Sequence, residues 1–318
     1  GRLMQIGVLF SGQGAQKPGM GVDFLGDPLF CQLVEEASQA TGLNIATLMK
    51  GEGGELDYTK YVQPALVTVS YGIYRMLERD LQLPIAGMVG LSLGEYAALM
   101  AARALDFTPG MALLADRARY MQEDADQVPS TLAAIVEPKL DVVSQAVEAA
   151  QAAGQGVYFA NYNSPDQVVL GGAKEALEQV VEEITAKEAA KKAVVLKVSG
   201  AFHTPFFNGA RQKMTERLKT VAFHTPTVPV ISNTTVTPFE KEGLADVLAR
   251  QLAVPTHFGD DLAYLINHQE VDTTLEIGPG KTLTRFAKQV DRKLTRYRIS
   301  SLADYQAFVK EVSDGTQG

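Results

Sequence analysis

Residues 86–91 are apolar and strand-length, and they run without a spacer into residues 93–102, where apolar side chains recur at helical intervals. The junction reads Gly90-Leu91-Ser92-Leu93-Gly94. A strand that turns into a helix this abruptly needs glycine where backbone passes backbone. The turn also lifts Ser92 onto an exposed elbow. Strand followed directly by helix is the signature of α/β architecture with a mostly parallel sheet, and the chain repeats that alternation. Residues 4–10 read as a buried strand ending in Ser11-Gly12-Gln13-Gly14. Residues 28–41, 64–80 and 109–124 read as helices, the second opened by Pro64, whose missing N–H costs little in a first turn. Further strands are expected over 228–232, 273–277 and 298–300, with helices over 243–252, 260–267 and 283–290.

The middle of the chain changes character. Strands over 131–136, 157–161, 168–171 and 194–198 and helices over 139–153 and 173–189 give the order βαββαβ, the ferredoxin-like split unit. Asn163-Ser164-Pro165-Asp166 is the turn between its middle strands. The expected organisation is therefore a large α/β domain, residues 3–128 and 199–312, carrying an inserted ferredoxin-like domain, residues 129–198. Gly1-Arg2 and the polar tail 313–318 are set aside as extensions outside the fold. A chain of 318 residues, 46% hydrophobic, is ample for both cores. Its net charge of −8 argues against non-specific nucleic-acid binding. No apolar run approaches the ~20 residues of a membrane helix, and residues 4–10 have the length of a strand, not of a secretory leader. Cys31 is the only cysteine, so no intrachain disulfide can form; it fits a reducing compartment and reads as a small buried hydrophobe.

A G-x-S-x-G match alone arises by chance in about one chain in ten of this length; its place between strand and helix gives it weight. Ser92 is either a nucleophile or a helix cap. As a nucleophile it can draw on the Leu93 N–H for a developing oxyanion, and it needs a base. His203, in Ser199-Gly200-Ala201-Phe202-His203-Thr204-Pro205, lies in an irregular segment between strand and helix, where catalytic side chains are often found. His224, His257 and His268 read as surface or capping residues. The Gly12-Gln13-Gly14 loop lacks phosphate-loop spacing; it supplies a second oxyanion donor from Gln13 or is a plain turn. Arg117 falls within the apolar arc of its helix, beside Leu113, Leu114, Ala118 and Met121, whereas Arg119 points elsewhere. A buried guanidinium needs a structural carboxylate, a route to the surface, or the carboxylate of a substrate.

These motifs, in this order and over nearly the whole chain, resemble the malonyl-CoA:acyl carrier protein transacylases of fatty-acid synthesis and the related acyltransferase domains of polyketide synthases. The resemblance implies an α/β-hydrolase-like large domain. It also implies Ser92 as acylated nucleophile, His203 as general base, Gln13 and Leu93 as backbone oxyanion donors, and Arg117 as the partner of the malonate carboxylate. Gln251 resembles the glutamine whose carbonyl orients the imidazole, with no aspartate completing a triad. Asn163, in Asn161-Tyr162-Asn163-Ser164-Pro165, resembles a cleft-lining residue near the base or thioester. Phe202 resembles the malonyl-selective type, and Leu91 stands where many members have histidine. The implied substrates are malonyl-CoA and holo acyl carrier protein, with no metal or redox cofactor, no nucleic acid and no membrane, for a cytoplasmic monomer. Lys281, Arg285, Lys288, Arg292 and Lys293 are candidates to receive the acidic carrier protein. Three rivals remain: a serine esterase or thioesterase with Asp166 as its acid, a polyketide-pathway acyltransferase, and an inactive scaffold.

Overall fold

Five consecutive apolar residues, Ile6–Phe10, form the first strand, β1, and all five are buried, as in a strand covered on both faces. The computed structural model describes residues 4–317. The later strands are β2 (Ile85–Gly90), β3 (Thr131–Val136), β4 (Val157–Ser164), β5 (Gln167–Gly172), β6 (Lys192–Val195), β7 (Thr273–Ile277) and β8 (Thr295–Ile299). The α-helices are α1 (Pro28–Thr41), α2 (Ile45–Lys50), α3 (Thr59–Asp80), α4 (Gly94–Ala101), α5 (Phe107–Gln127), α6 (Leu140–Ala152) and α7 (Lys174–Ala186), then α8 (Asn208–Leu218), α9 (Leu244–Gln251), α10 (Phe258–His268), α11 (Thr282–Val290) and α12 (Leu302–Gln317).

One sheet is parallel throughout, in the order β2-β1-β7-β8. The chain leaves β1 towards β2 on one side and leaves β7 towards β8 on the other, so the ends of β1 and β7 flank a switch point, where open α/β sheets place their sites, with the end of β2 beside it. The second sheet is antiparallel, in the order β4-β5-β3-β6, and its elements follow the order β3-α6-β4-β5-α7-β6. Helices α6 and α7 cover one face through Val143, Val147, Leu177 and Ile184. The other face contributes Leu132, Ala134, Asn161 and Asn163 to a cleft shared with the loop after β1. Strand β4 is tied to the larger body where the Tyr162 N–H donates to the Thr256 carbonyl at 2.8 Å and the Thr256 N–H to the Ala160 carbonyl at 3.0 Å.

Several expectations are corrected. The helix expected to open at Pro64 starts at Thr59, so Pro64 lies inside α3. Residues 228–232 form only a bridge between Val230 and Met88; Pro229 has no N–H for a ladder, and the chain turns back so that Ile231 bridges Pro238. Strand β6 spans Lys192–Val195 rather than 194–198; beyond it the Leu196 and Val198 carbonyls face the Thr131 hydroxyl at 3.1 and 2.9 Å. Cys31 is half-exposed on α1 rather than buried. The tail set aside from residue 313 continues α12, which is anchored through buried Tyr305, Phe308 and Val312; residues 1–3 and 318 lie outside the described residues. Among the described residues, no helix is long and apolar enough to cross a membrane.

Candidate active site

The site begins where two loops pack backbone against backbone. A Cβ on Gly12 would lie 2.4 Å from the Leu91 carbonyl oxygen, and one on Gly94 would lie 2.2 Å from that of Phe10. A Cβ on Gly90 would meet the Gly94 carbonyl carbon at 2.0 Å. Only glycine fits at each position. This packing sets the Gln13 loop against the Ser92 turn.

Ser92 adopts φ 54°, a left-handed conformation that non-glycine residues rarely hold without support. The support is Asn233. Its Oδ1 accepts from the Ser92 N–H at 2.7 Å, while its Nδ2 donates to the Gly90 carbonyl and to Asp261 Oδ2, each at 2.8 Å. Beyond the serine, the Gly94 and Glu95 N–H groups turn back to the Leu91 and Ser92 carbonyls. The Leu93 N–H is left as the free donor of the turn into α4.

His203 is also left-handed, at φ 65°, and 4% exposed. Its Nε2 lies 2.6 Å from Ser92 Oγ and its Nδ1 lies 2.7 Å from the Gln251 carbonyl oxygen. A carbonyl only accepts, so Nδ1 carries the proton and Nε2 is the lone pair facing the serine hydroxyl. That carbonyl is available because Gln251 is the last residue of α9, where helical carbonyls lose their partners. Burial, helped by the Arg117 charge, holds the imidazole pKa down to about 4 against the opposing pull of the Gln251 bond. No carboxylate completes a triad: the Nδ1 partner is a carbonyl, and Asp166 sits in the β4–β5 turn. The other three histidines lie elsewhere. His224 pairs with Asp106 at 3.3 Å, His257 stacks on Tyr162 at 4.9 Å, and His268 stacks on Tyr264 at 4.4 Å.

Arg117, on α5, is 0% exposed. Neither ordinary solution for a buried arginine is present: it does not reach the surface, and its hydrogen-bond partners are neutral. Nη1 donates to Gln63 Oε1 at 2.5 Å, and Nη2 donates to Gln251 Oε1 at 2.8 Å and to Ser92 Oγ at 3.4 Å. The guanidinium lies 5.2 Å from the Tyr96 ring centroid, and its Nε has no partner. The nearby carboxylate is held one residue away: Glu95 accepts from Gln251 Nε2 and from the Asn233 N–H. Burial pushes the Glu95 pKa up to about 8, opposed by those two donors and by the Arg117 charge. Asp261 is raised well above the usual carboxylate range, also by burial. The site thus pairs a serine–histidine dyad with a fully buried cation that has donors to spare, an arrangement suited to acyl transfer from an acid-bearing thioester.

The cleft that opens here encloses about 330 Å³. Gln13, Leu91, Asn163 and Arg285 line it. Asn163 faces the Gln13 loop and donates to Gln167 at 3.0 Å; it bonds to neither Ser92 nor His203. Phe202 packs on Phe207 at 4.9 Å and borders a smaller hollow with Gln13 and Thr59. Among the described residues, no group of three or more His, Cys, Asp or Glu side chains could hold a metal ion. The sequence reading missed Asn233, Glu95, Gln63 and Thr59. Glu95 closes the serine motif, and Asn233 follows an apolar run at a strand-like end, the position that carries sites in α/β sheets.

The acyl transferase domain family matches residues 8–306. A malonyl CoA-acyl carrier protein transacylase of Escherichia coli strain K12 is 36% identical over 296 residues, 92% of this chain and 95% of that one. The crystal structure of MCAT from Streptococcus pneumoniae superposes with a TM-score of 0.90 at 36% identity, covering 96% of this chain and all of that one. PlMCAT, a malonyl-transacylase solved in complex with a type II PKS acyl-carrier protein, superposes with a TM-score of 0.91 at 32% identity, covering 96% of this chain and 99% of that one.

Proposed function

The chain belongs to the acyl transferase family, among the malonyl CoA-acyl carrier protein transacylases, and from that premise we propose that it moves malonyl from coenzyme A to the phosphopantetheine thiol of acyl carrier protein, in fatty-acid biosynthesis. The observation that carries this reading is Arg117: a buried guanidinium, bonded only to neutral groups, 3.4 Å from the serine oxygen. A malonyl carboxylate completes its fork, whereas an acetyl group leaves it unmatched.

His203 Nε2 takes the Ser92 proton as Oγ attacks the thioester carbonyl. The Leu93 and Gln13 N–H groups receive the oxyanion. The tetrahedral intermediate collapses with loss of the coenzyme A thiolate, which takes the proton from His203, leaving malonyl-Ser92. The carrier thiol then gives its proton to His203 and attacks the ester, and the second intermediate collapses with loss of Ser92 Oγ, which takes the proton back from His203, leaving malonyl-carrier protein. Asn163 and Phe202 line the acyl and arm path, and Gln251 orients the base. The acidic carrier protein meets the α11 side, where Arg285 at the cleft joins Lys281 and Lys288, with Arg292 and Lys293 beyond. The reading includes no metal or redox cofactor. It also includes a cytoplasmic monomer, supported by the lone Cys31 and by a site drawn wholly from one chain. The chain's net charge of −8 offers nothing to nucleic acid.

The test is transfer from malonyl-CoA to holo acyl carrier protein, followed by the mass of the carrier. Malonyl-carrier protein should form, and His203→Ala should slow it about a hundredfold or more. Release of free malonate at the same rate with or without carrier protein would make the chain a thioesterase.

A further inference from the structure

A chain of hydrogen bonds leaves Arg117 and ends on the Gln13 loop. Arg117 Nη1 donates to Gln63 Oε1 at 2.5 Å, Gln63 Nε2 donates to Thr59 Oγ1 at 2.8 Å, and Thr59 Oγ1 donates to Gln13 Oε1 at 2.6 Å. The first two polarities are forced. A guanidinium can only donate, so Gln63 presents its oxygen to Arg117 and its amino group to Thr59. The Thr59 hydroxyl, accepting from that amide, has its own proton left for Gln13. Thr59 and Gln63 stand four residues apart on the opening turns of α3, hence on one helix face, and are 4% and 0% exposed. The Thr59 hydroxyl does not cap its helix; it is turned to the loop.

The two ends of this chain have different duties in the proposed reaction. One end is the fork for the malonyl carboxylate. The other is the residue whose N–H faces the oxyanion. The geometry points to Thr59 as a positioning residue that couples carboxylate binding at Arg117 to the placement of the Gln13 peptide. Malonyl then promotes its own chemical step, beyond the gain from being bound. The inference rests on the function proposed above. A carboxylate drawn to the guanidinium shifts the acceptor it shares with Gln63. With Gln63 and Thr59 out of reach of water, that shift passes along bonds that cannot be replaced one at a time. An acetyl group makes no such contact and leaves the Gln13 loop in its resting position.

The experiment measures single-turnover acylation of Ser92 in the full chain, by malonyl-CoA and separately by acetyl-CoA. Thr59→Val keeps the shape and removes the hydroxyl. It should lower the saturating malonylation rate about tenfold, the size of one lost buried hydrogen bond. Half-saturation by malonyl-CoA and the acetylation rate should each stay within about twofold. Thr59→Ser should restore malonylation to within about threefold. Gln13→Met keeps the backbone N–H and removes the other partner of the bond; it should reproduce the loss, with no further loss in the double variant. Parallel losses for malonyl and acetyl, additive losses in the double variant, or an unchanged malonylation rate would each overturn the coupling. Should Thr59→Val not fold, Gln13→Met at its half-buried position decides the matter alone. A wild-type chain that takes up no malonyl contradicts the proposed function, whereas a wild type that is malonylated beside unaffected variants contradicts only the coupling.

Discussion

Replacing Arg117 by methionine removes the charge and keeps a side chain that fits the apolar arc of α5. The guanidinium is 0% exposed, so a malonyl carboxylate docked there is desolvated and depends on it. Truncating one partner of a buried, hydrogen-bonded charge pair costs about 2–5 kcal/mol. At about 1.4 kcal/mol per tenfold, that is a loss of roughly 30- to 4,000-fold in kcat/KM for malonyl-CoA. The substitution also strips the Gln63 and Gln251 side-chain oxygens of a donor. That second cost falls on both substrates alike, so the ratio of malonyl to acetyl transfer isolates the carboxylate contact. The assay is transfer to holo acyl carrier protein from each thioester, between pH 6 and 9, where arginine keeps its charge and the wild-type preference should persist. Arg117→Met should collapse the ratio to near one. An equal fold loss for both thioesters would mean that Arg117 is structural and would refute the reasoning.

Four further outcomes follow from the structure. Burial holds His203 down to about 4, so the base is already neutral at physiological pH; kcat/KM for malonyl-CoA should be level from about pH 8 to 5 and fall below that, and an acid limb centred near the ordinary histidine value of ~6.5 would contradict it. The same group binds its proton more readily in the unfolded chain, so its share of stability is present above ~6.5 and is lost as pH falls towards its folded value of about 4. Asn233→Ala takes this partner from the Ser92 N–H, the Gly90 carbonyl and Asp261; it should slow malonylation tenfold or more and cost about 1–3 kcal/mol per orphaned group in denaturant titration, and normal acylation would show that the elbow holds itself. Gly90→Ala drives a Cβ to 2.0 Å from the Gly94 backbone and should destabilise by more than about 4 kcal/mol, whereas Gly26→Ala, with open space around it, should leave thermal unfolding unchanged; equal melting points would show that the turn tolerates the movement.

The parts of the fold that were legible in sequence are those set by local periodicity. Strand β3 spans the expected residues 131–136, and the apolar arc that enclosed Arg117 on paper encloses it in space. The serine elbow was readable because strand, glycine and helix leave its backbone few alternatives. What stayed hidden depends on long-range contacts or on a misplaced boundary. Opening α3 at Pro64 left Thr59 and Gln63 in a loop, so their shared helix face, and with it the path from Arg117 to Gln13, could not be seen. Asn233 acts on Ser92 from 141 residues away; the apolar run before it marks a strand-like end, but nothing local says which distant backbone its side chain holds. Glu95 is an acidic side chain in an apolar helix of eight buried residues; its partners, Gln251 and Asn233, are supplied by distant segments.

The central claim is that Ser92 carries a malonyl group selected by Arg117. Its most direct measurement is the intact mass of the chain after brief mixing with malonyl-CoA and, separately, acetyl-CoA, without carrier protein, followed by peptide mapping. The account predicts a malonyl adduct on Ser92 that forms far faster than any acetyl adduct and is absent in Ser92→Ala. An adduct on another residue, equal labelling by both thioesters, or rapid release of coenzyme A with no adduct would contradict it.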